Sequence, residues 1–369
     1  MAAILEEMPS DDIADLLGEM PQQQAGELLH LMEDEEAKEV RGLLQYPDDT
    51  AGGIMTTEFI ALHEEDTAQT AIDTLRRLAP DAETAYYVYV VNRRNELVGV
   101  LSLRDLVISP PERPLREFMN TNVTSVAASM DQEEVARVVQ KYDLLAVPVV
   151  DEFNRLLGIV TVDDVLDVIE EETTEDIYRL GSTGSPEPEE DLARPWARAR
   201  KRLPWLVPLL FGEILSGRVI EGFSGMLQTF TVLAFFITVM AGESGNTATQ
   251  SLAVVVRGIA TGEIDGRKIW RVVWLEAQVG IMVGVITGLV LALTAVAWHK
   301  SAVVGLVVGA AMALNMIIAA TLGGFFPLVI HRFGWDPAVA SGPFITTLTD
   351  IISMAVYFGV ATYVLRTLV

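Results

Sequence analysis

Ala277-Gln-Val-Gly-Ile-Met-Val-Gly-Val-Ile-Thr-Gly-Leu-Val-Leu-Ala-Leu-Thr-Ala-Val-Ala-Trp-His299 runs without a single formally charged side chain. At 1.5 Å of rise per helical residue, a run of this length crosses a hydrocarbon core of roughly 30 Å. Gly222 to Gly242 and Ser301 to Ile330 repeat the pattern. Two further segments carry it with interruptions: Leu203 to Ile220 holds Glu213 and Arg218, and Ala338 to Leu365 holds Asp350. Residues 203–369 therefore read as an all-α polytopic membrane domain with about five transmembrane helices.

Upstream of Leu203 the composition changes. From Leu203 onward eight acidic residues face eight basic ones, so the whole formal charge of −25 belongs to residues 1–202. A region this acidic repels nucleic acid and anionic lipid and attracts cations, so no nucleic-acid partner is expected. The absence of cysteine excludes disulfides, thiolate metal sites and redox motifs. The polar helical pattern that follows Met1 is not that of a secretory signal. Arg194, Arg198, Arg200, Lys201 and Arg202 stand just before the first apolar run. Five spans put Arg257, Arg267, Lys268, Arg271 and Arg332 on the same side, leaving Arg218, Lys300 and Arg366 opposite. The positive-inside rule then predicts a multi-pass protein of the cell (inner) membrane, with its N-terminus cytoplasmic and its C-terminus external.

The soluble part is built from repeats. Residues 1–48 repeat Met8-Pro9 as Met20-Pro21, and Leu16-Leu17 as Leu28-Leu29, which predicts a short α-helical superhelix leaning on a neighbour. Residues 49–181 form a tandem pair. Tyr87-Val-Tyr-Val-Val91 and Gly99-Val-Leu-Ser-Leu-Arg-Asp105 recur 59 residues later as Ala146-Val-Pro-Val-Val150 and Gly158-Ile-Val-Thr-Val-Asp-Asp164. Apolar strands bounded by turn residues and alternating with helices indicate an α/β module. Residues 182–202 read as an acidic link followed by a connecting helix.

Ionisable groups inside a span are costly and tend to face a bundle interior or an ion path. Asp350 is the sharpest case, with Thr346 one helical turn before it and Thr347 and Thr349 beside it; the bland alternative is a structural carboxylate. Gly242-Glu-Ser-Gly-Asn-Thr-Ala-Thr-Gln250 is the second polar interruption. Gly222 to Val256 is too long for one straight span, which predicts a bend near Gly245-Asn246 that frees carbonyls toward a cavity; the alternative is a close-packed small-residue interface. One acid per chain suits a well-hydrated ion. Mg²⁺ keeps several waters and uses one or two carboxylates, so two copies of Asp350 on a dimer axis would hold it. Ligand type leaves Co²⁺, Ni²⁺ and Mn²⁺ open. Glu276 reads as structural, and Glu213 is left open. His30, His63, His299 and His331 have no ligand spacing. No nucleophile elbow, phosphate loop or zinc signature argues for an enzyme.

Acids continue along Asp163-Asp164, Asp167, Glu170-Glu171-Glu172 and Glu175-Asp176, then in Glu187, Glu189, Glu190 and Asp191, and again at Asp336. A charge run is ordinarily a solvated face. Here mutual repulsion would be relieved by bridging divalent cations, the basis of a sensor.

With Tyr46-Pro-Asp-Asp-Thr-Ala-Gly-Gly-Ile-Met-Thr56, the tandem pair, Thr174-Glu-Asp176, Pro204-Trp-Leu206 and Thr347-Leu-Thr-Asp350, the chain resembles the MgtE family of Mg²⁺ channels. The pair itself resembles cystathionine-β-synthase (CBS) domains. The resemblance implies a homodimer in the lipid bilayer that carries Mg²⁺ and closes when cytosolic Mg²⁺ binds its acidic domains. It assigns the pore metal site to Asp350, Asn246 and Gly245, to which the helical spacing adds Thr346. It places regulatory Mg²⁺ at Asp336, to which the acidic run adds Asp167, Glu170, Glu171, Glu175, Asp176, Glu189, Glu190 and Asp191, and ATP in the CBS pair at Tyr87, Arg104 and Asp105. Ser244-Gly-Asn-Thr-Ala-Thr-Gln250 departs from the family's Gly-Gly-Asn-x-Gly-x-Gln. From the residues alone, an ion-coupled carrier with a broken-helix site stays open, as does a nucleotide sensor anchored in the membrane.

Overall fold

The computed structural model describes residues 8–18, 20–32, 34–78, 86–181, 195–264 and 269–368. It divides into two compact units, Met1–Glu172 and Thr173–Val369.

In the first unit, α1 (Ser10–Gly18), α2 (Gln22–Leu29) and α3 (Asp34–Leu43) are short amphipathic helices. Their apolar faces, through Ile13, Leu17, Val40 and Leu43, share one core with Val135, Val139, Val147 and Val165 of the second repeat. Helices this short are marginal in water and take their stability from that packing.

Each repeat supplies a three-stranded sheet. β1 (Ala61–His63) pairs parallel with β2 (Tyr87–Val91), which pairs antiparallel with β3 (Leu97–Ser102). β4 (Val126–Ala127), β5 (Ala146–Val150) and β6 (Leu156–Thr161) repeat the arrangement, down to a register shift after Val90 and after Val149. The helices α4 (Ala68–Leu78) and α6 (Gln132–Tyr142) precede the central strands. α5 (Leu103–Ile108) and α7 (Val162–Leu180) follow the third. The extended run opening each repeat crosses to the other. Thr56 and Ile159 exchange backbone hydrogen bonds of 2.8 and 3.0 Å, and Val100 and Asn120 exchange two of 3.0 Å. The hairpin tips interlock as well: Asn95 and Asn154 take positive φ, which asparagine tolerates, and each carbonyl accepts from the other hairpin's Leu156 or Leu97 amide.

Five long helices build the second unit: α8 (Pro195–Gly222), α10 (Ile237–Ala260), α11 (Ile269–His299), α12 (Ala302–Arg332) and α13 (Gly342–Leu368). A short α9 (Ser224–Thr229) sits between the first two. Four of the five are long and apolar enough to cross a membrane; α10, with Glu243 and Arg257, is the polar one. α12 is central and packs on α10, α11 and α13, whereas α8 lies against α13 with most of its surface exposed. Glycine permits the α11–α12 approach: a Cβ at Gly284 would lie 2.6 Å from the Ala313 carbonyl oxygen, and one at Gly288 2.6 Å from that of Gly309.

The expected bend at Gly245-Asn246 is not there. α10 runs unbroken through both residues. The irregular backbone lies earlier, where Phe230 adopts φ −124° and ψ 67° and Thr231–Phe236 forms a 3₁₀ turn. Buried Tyr357 donates to the Leu233 carbonyl at 2.9 Å and satisfies backbone freed by that irregularity. The span expected over Gly222 to Gly242 is thus replaced by a later helix. The connecting helix has no seam at Leu203: α8 carries Arg198, Arg200, Lys201 and Arg202 straight into the apolar run.

Candidate functional site

Asp350 sits at the junction of α8, α10 and α13. Gly245 on α10 lies against Thr346, where an added Cβ would come within 2.8 Å of the threonine methyl. Thr249 and Thr346 bring their hydroxyls to 3.4 Å. From α8, Gly212 packs on Thr347, and Glu213 is the charged group that acts on Asp350. One carboxylate oxygen of Asp350, Oδ1, is buried without a hydrogen-bond partner. Asn246, Glu213 and Glu243 are exposed on the surface of a single chain. Exposed amides and carboxylates on membrane-length helices belong against water or another protein surface rather than hydrocarbon. The structure thus brings Asp350, Thr346 and Gly245 together and leaves Asn246 facing outward from one copy. Glu213, left open by sequence, joins them because α8 packs on α13.

Asp336 caps the 3₁₀ turn Pro337–Val339 between α12 and α13, accepting from the Ala338 amide at 2.8 Å. It also pairs with Arg179, which pairs in turn with Glu175 one helical turn earlier. Leu180 packs with Ala338, Ala340 and Ile345, so the end of α7 is anchored beside Asp336. Asp167, Glu170 and Glu171 are exposed on α7, and Asp176 is half-buried. Glu189, Glu190 and Asp191 lie outside the described residues. Among the described residues, no group of three or more carboxylates or histidines converges to hold a metal ion.

A second acidic focus forms where α1 meets α7, and the sequence reading overlooked it. Asp15 has its carboxyl among Asp12, Asp48, Asp164 and Glu171. Although much of Asp15 faces solvent, partial burial of its carboxyl, then those four charges, pushes its pKa up to about 6. Burial also raises Asp164, against the hydrogen bonds it accepts from Thr161. The signal available in sequence was Asp11-Asp12-x-x-Asp15, whose spacing puts Asp12 and Asp15 on one helical face.

In the first repeat, the register Tyr87↔Ser102 sets Tyr87 beside the β3–α5 turn. Asp105 and Ser102 form a capping box, the serine hydroxyl donating to Asp105 at 2.6 Å and accepting from its amide at 3.2 Å. Arg104 is exposed next to them. Tyr87, Arg104 and Asp105 therefore share one end of a sheet. The Ser/Thr-x-x-Asp motif has a structural role in both repeats, as helix cap.

Models of known families match along the chain: an MgtE intracellular N domain over residues 1–49, CBS domains over 51–110 and 115–171, and a divalent cation transporter, MgtE, over 237–360. The magnesium transporter MgtE of Bacillus subtilis is 41% identical over 367 residues, covering 99% of this chain and 80% of that protein. The chain belongs to the MgtE family. The MgtE proteins of Thermus thermophilus and Enterococcus faecalis are 40% and 41% identical over 327 residues, each covering 89% of this chain and 72% of the relative. A crystal structure of the cytosolic domain of the Mg²⁺ channel MgtE in complex with ATP is 48% identical, with a TM-score of 0.44; it covers 45% of this chain and 68% of that one. MgtE is a family of multi-pass membrane transporters, not enzymes.

Proposed function

We propose that two copies of this chain form a Mg²⁺ channel that passes the hydrated ion and closes when cytosolic Mg²⁺ binds the acidic N-terminal and CBS regions. The observation that carries the reading is the buried, partnerless Asp350 Oδ1 at a three-helix junction, with Asn246 and Glu213 exposed nearby. A second copy seated against α10 and α13 would cover those polar groups and face one Asp350 with the other. Two carboxylates then hold a cation that keeps its waters. Gly245 lets Thr346 approach closely, and Asn246 adds an amide oxygen to the path. On the cytosolic side, Asp336, Asp167, Glu170, Glu171, Glu175 and Asp176, with Glu189, Glu190 and Asp191 of the link, are the proposed regulatory ligands; the Asp15 focus joins them. In this reading the N-terminus is cytoplasmic and the C-terminus external.

ATP fits the first repeat by its donor set: an aromatic ring at Tyr87, an exposed guanidinium at Arg104 for phosphate, and a carboxylate at Asp105 for ribose hydroxyls. Arg104→Ala should remove binding of labelled ATP and leave Mg²⁺ uptake in place. The carrier reading loses its support, because it needed a broken helix at Gly245-Asn246.

The deciding experiment is Mg²⁺ uptake into liposomes. Asp350→Ala should abolish uptake while the assembly runs at unchanged size on gel filtration; normal uptake would remove Asp350 from the path.

A further inference from the structure

Asn315 is 2% exposed in the middle of α12, an otherwise apolar helix. Its Nδ2 reaches two helices at once, the Ser353 carbonyl on α13 at 3.4 Å and the Met240 sulfur on α10 at 3.7 Å. Ser353 in turn donates through its hydroxyl to the Asp350 carbonyl at 3.2 Å. A narrow crevice with no room for a water molecule lies among Ser244, Asn315, Thr349 and Ser353. The three hydroxyls around it all donate to carbonyls of their own helices, so none reaches Asn315. Asn315 Oδ1 is left buried without a partner.

A half-satisfied amide in a membrane helix is retained against a cost that leucine would not carry. What leucine could not do is tie two neighbouring helices to a third. We infer that Asn315 is the positioning residue of the ion path: it fixes the rotation of α13 against α10 at the level of Asp350. Successive residues of a helix point about 100° apart, so a turn of α13 by about that angle would exchange Asp350 for Ile351 or Thr349 at the path, and any smaller turn would shift the balance of exposure between them. Ser353 is one turn beyond Asp350, where a hydrogen bond from α12 resists that rotation most directly. The inference rests on the proposed ion path for its function, and on the Asn315 contacts for its geometry.

The chain has no cysteine, so single cysteines report alone. Thr349→Cys, Asp350→Cys and Ile351→Cys, each in the full chain in liposomes, would be reacted with a water-soluble thiosulfonate. With Asn315 present, position 350 should react fastest. Asn315→Leu should lower the 350-to-351 rate ratio by roughly threefold, the factor carried by a typical interhelical hydrogen bond, and lower Mg²⁺ uptake with it. Met312→Leu, which disturbs the same buried helix without removing a hydrogen bond, should leave the ratio unchanged. An unshifted ratio in Asn315→Leu, or an equal shift in Met312→Leu, overturns the inference. Should Asn315→Leu not assemble, Asn315→Ala decides by the same ratio. If position 349 or 351 reacts fastest with Asn315 present, the Asp350 path is wrong, and the shift on substitution still judges the clamp.

Discussion

At the residue scale, the most informative side chains are those whose environment contradicts their chemistry. Asp15 is one. Its folded pKa of about 6 exceeds the ordinary 3.8, so the packed state binds the proton more tightly. Packing of α1 on α7 is then favoured at low pH, and the advantage fades as pH rises from about 3.8 through about 6. A divalent cation among the same carboxylates would replace the lost protons. Mg²⁺ should therefore protect the α1–α7 region from proteolysis at pH 7.5 and do much less at pH 5.5; equal protection at both would separate the cluster from cation binding. Arg179 is informative for the opposite reason, a guanidinium held between Glu175 and Asp336. Arg179→Gln takes away the guanidinium that stands between these two carboxylates. Under the proposed gating, the Mg²⁺ concentration that closes the channel should fall, by no more than roughly fivefold, because partly exposed pairs carry about 1 kcal/mol or less. A rise in that concentration would mean Arg179 assists Mg²⁺ rather than standing in for it.

At the element scale, membrane helices were legible where charge was absent and obscure where function intervened. α11 and α12 follow from hydropathy alone. α10 did not, because Glu243 and Arg257 divide its sequence, and its glycine, serine and threonine residues are weak helix formers in a backbone that is nonetheless helical throughout. Its start was misplaced for the same reason: the apolar run Gly222 to Gly242 has the composition of a span, yet Tyr357, 124 positions away, is what satisfies the carbonyl of Leu233. The tandem repeat was legible because a fixed offset of 59 residues survives in strands, turns and caps. The α1–α7 carboxylates, the Arg179–Asp336 pair and the Asn315 contacts were not, since each depends on residues far apart in the chain. The close α11–α12 seam makes its own prediction. Gly284→Leu drives a side chain into the Ala313 backbone, and overpacking of this kind costs about 1–3 kcal/mol. Thermal unfolding in detergent should shift down measurably, whereas Gly359→Ala, with open space around it, should not.

At the scale of the whole molecule, charge is divided as sharply as hydropathy, and the two divisions coincide near Leu203. All of the net −25 lies on the side that carries the proposed regulatory acids other than Asp336, while the helical side is formally neutral. Exposed acids repel over about 8 Å at physiological ionic strength, so monovalent salt weakens their repulsion without joining them. A divalent ion can do both. Replacing Asp167, Glu170 and Glu171 on α7 and Asp336 beyond α12 with their amides removes four of the proposed ligands while keeping side-chain size. Liposomes holding the quadruple variant should continue to take up Mg²⁺ when the domain side holds a concentration that closes the parent protein. Added NaCl should leave the parent's closure far less affected than Mg²⁺ withdrawal does. Unchanged closure in the variant would reduce Asp167, Glu170 and Glu171 to a solvated face, and would leave Glu175, Asp176, the Asp15 focus and the link as the remaining places for the regulatory ion.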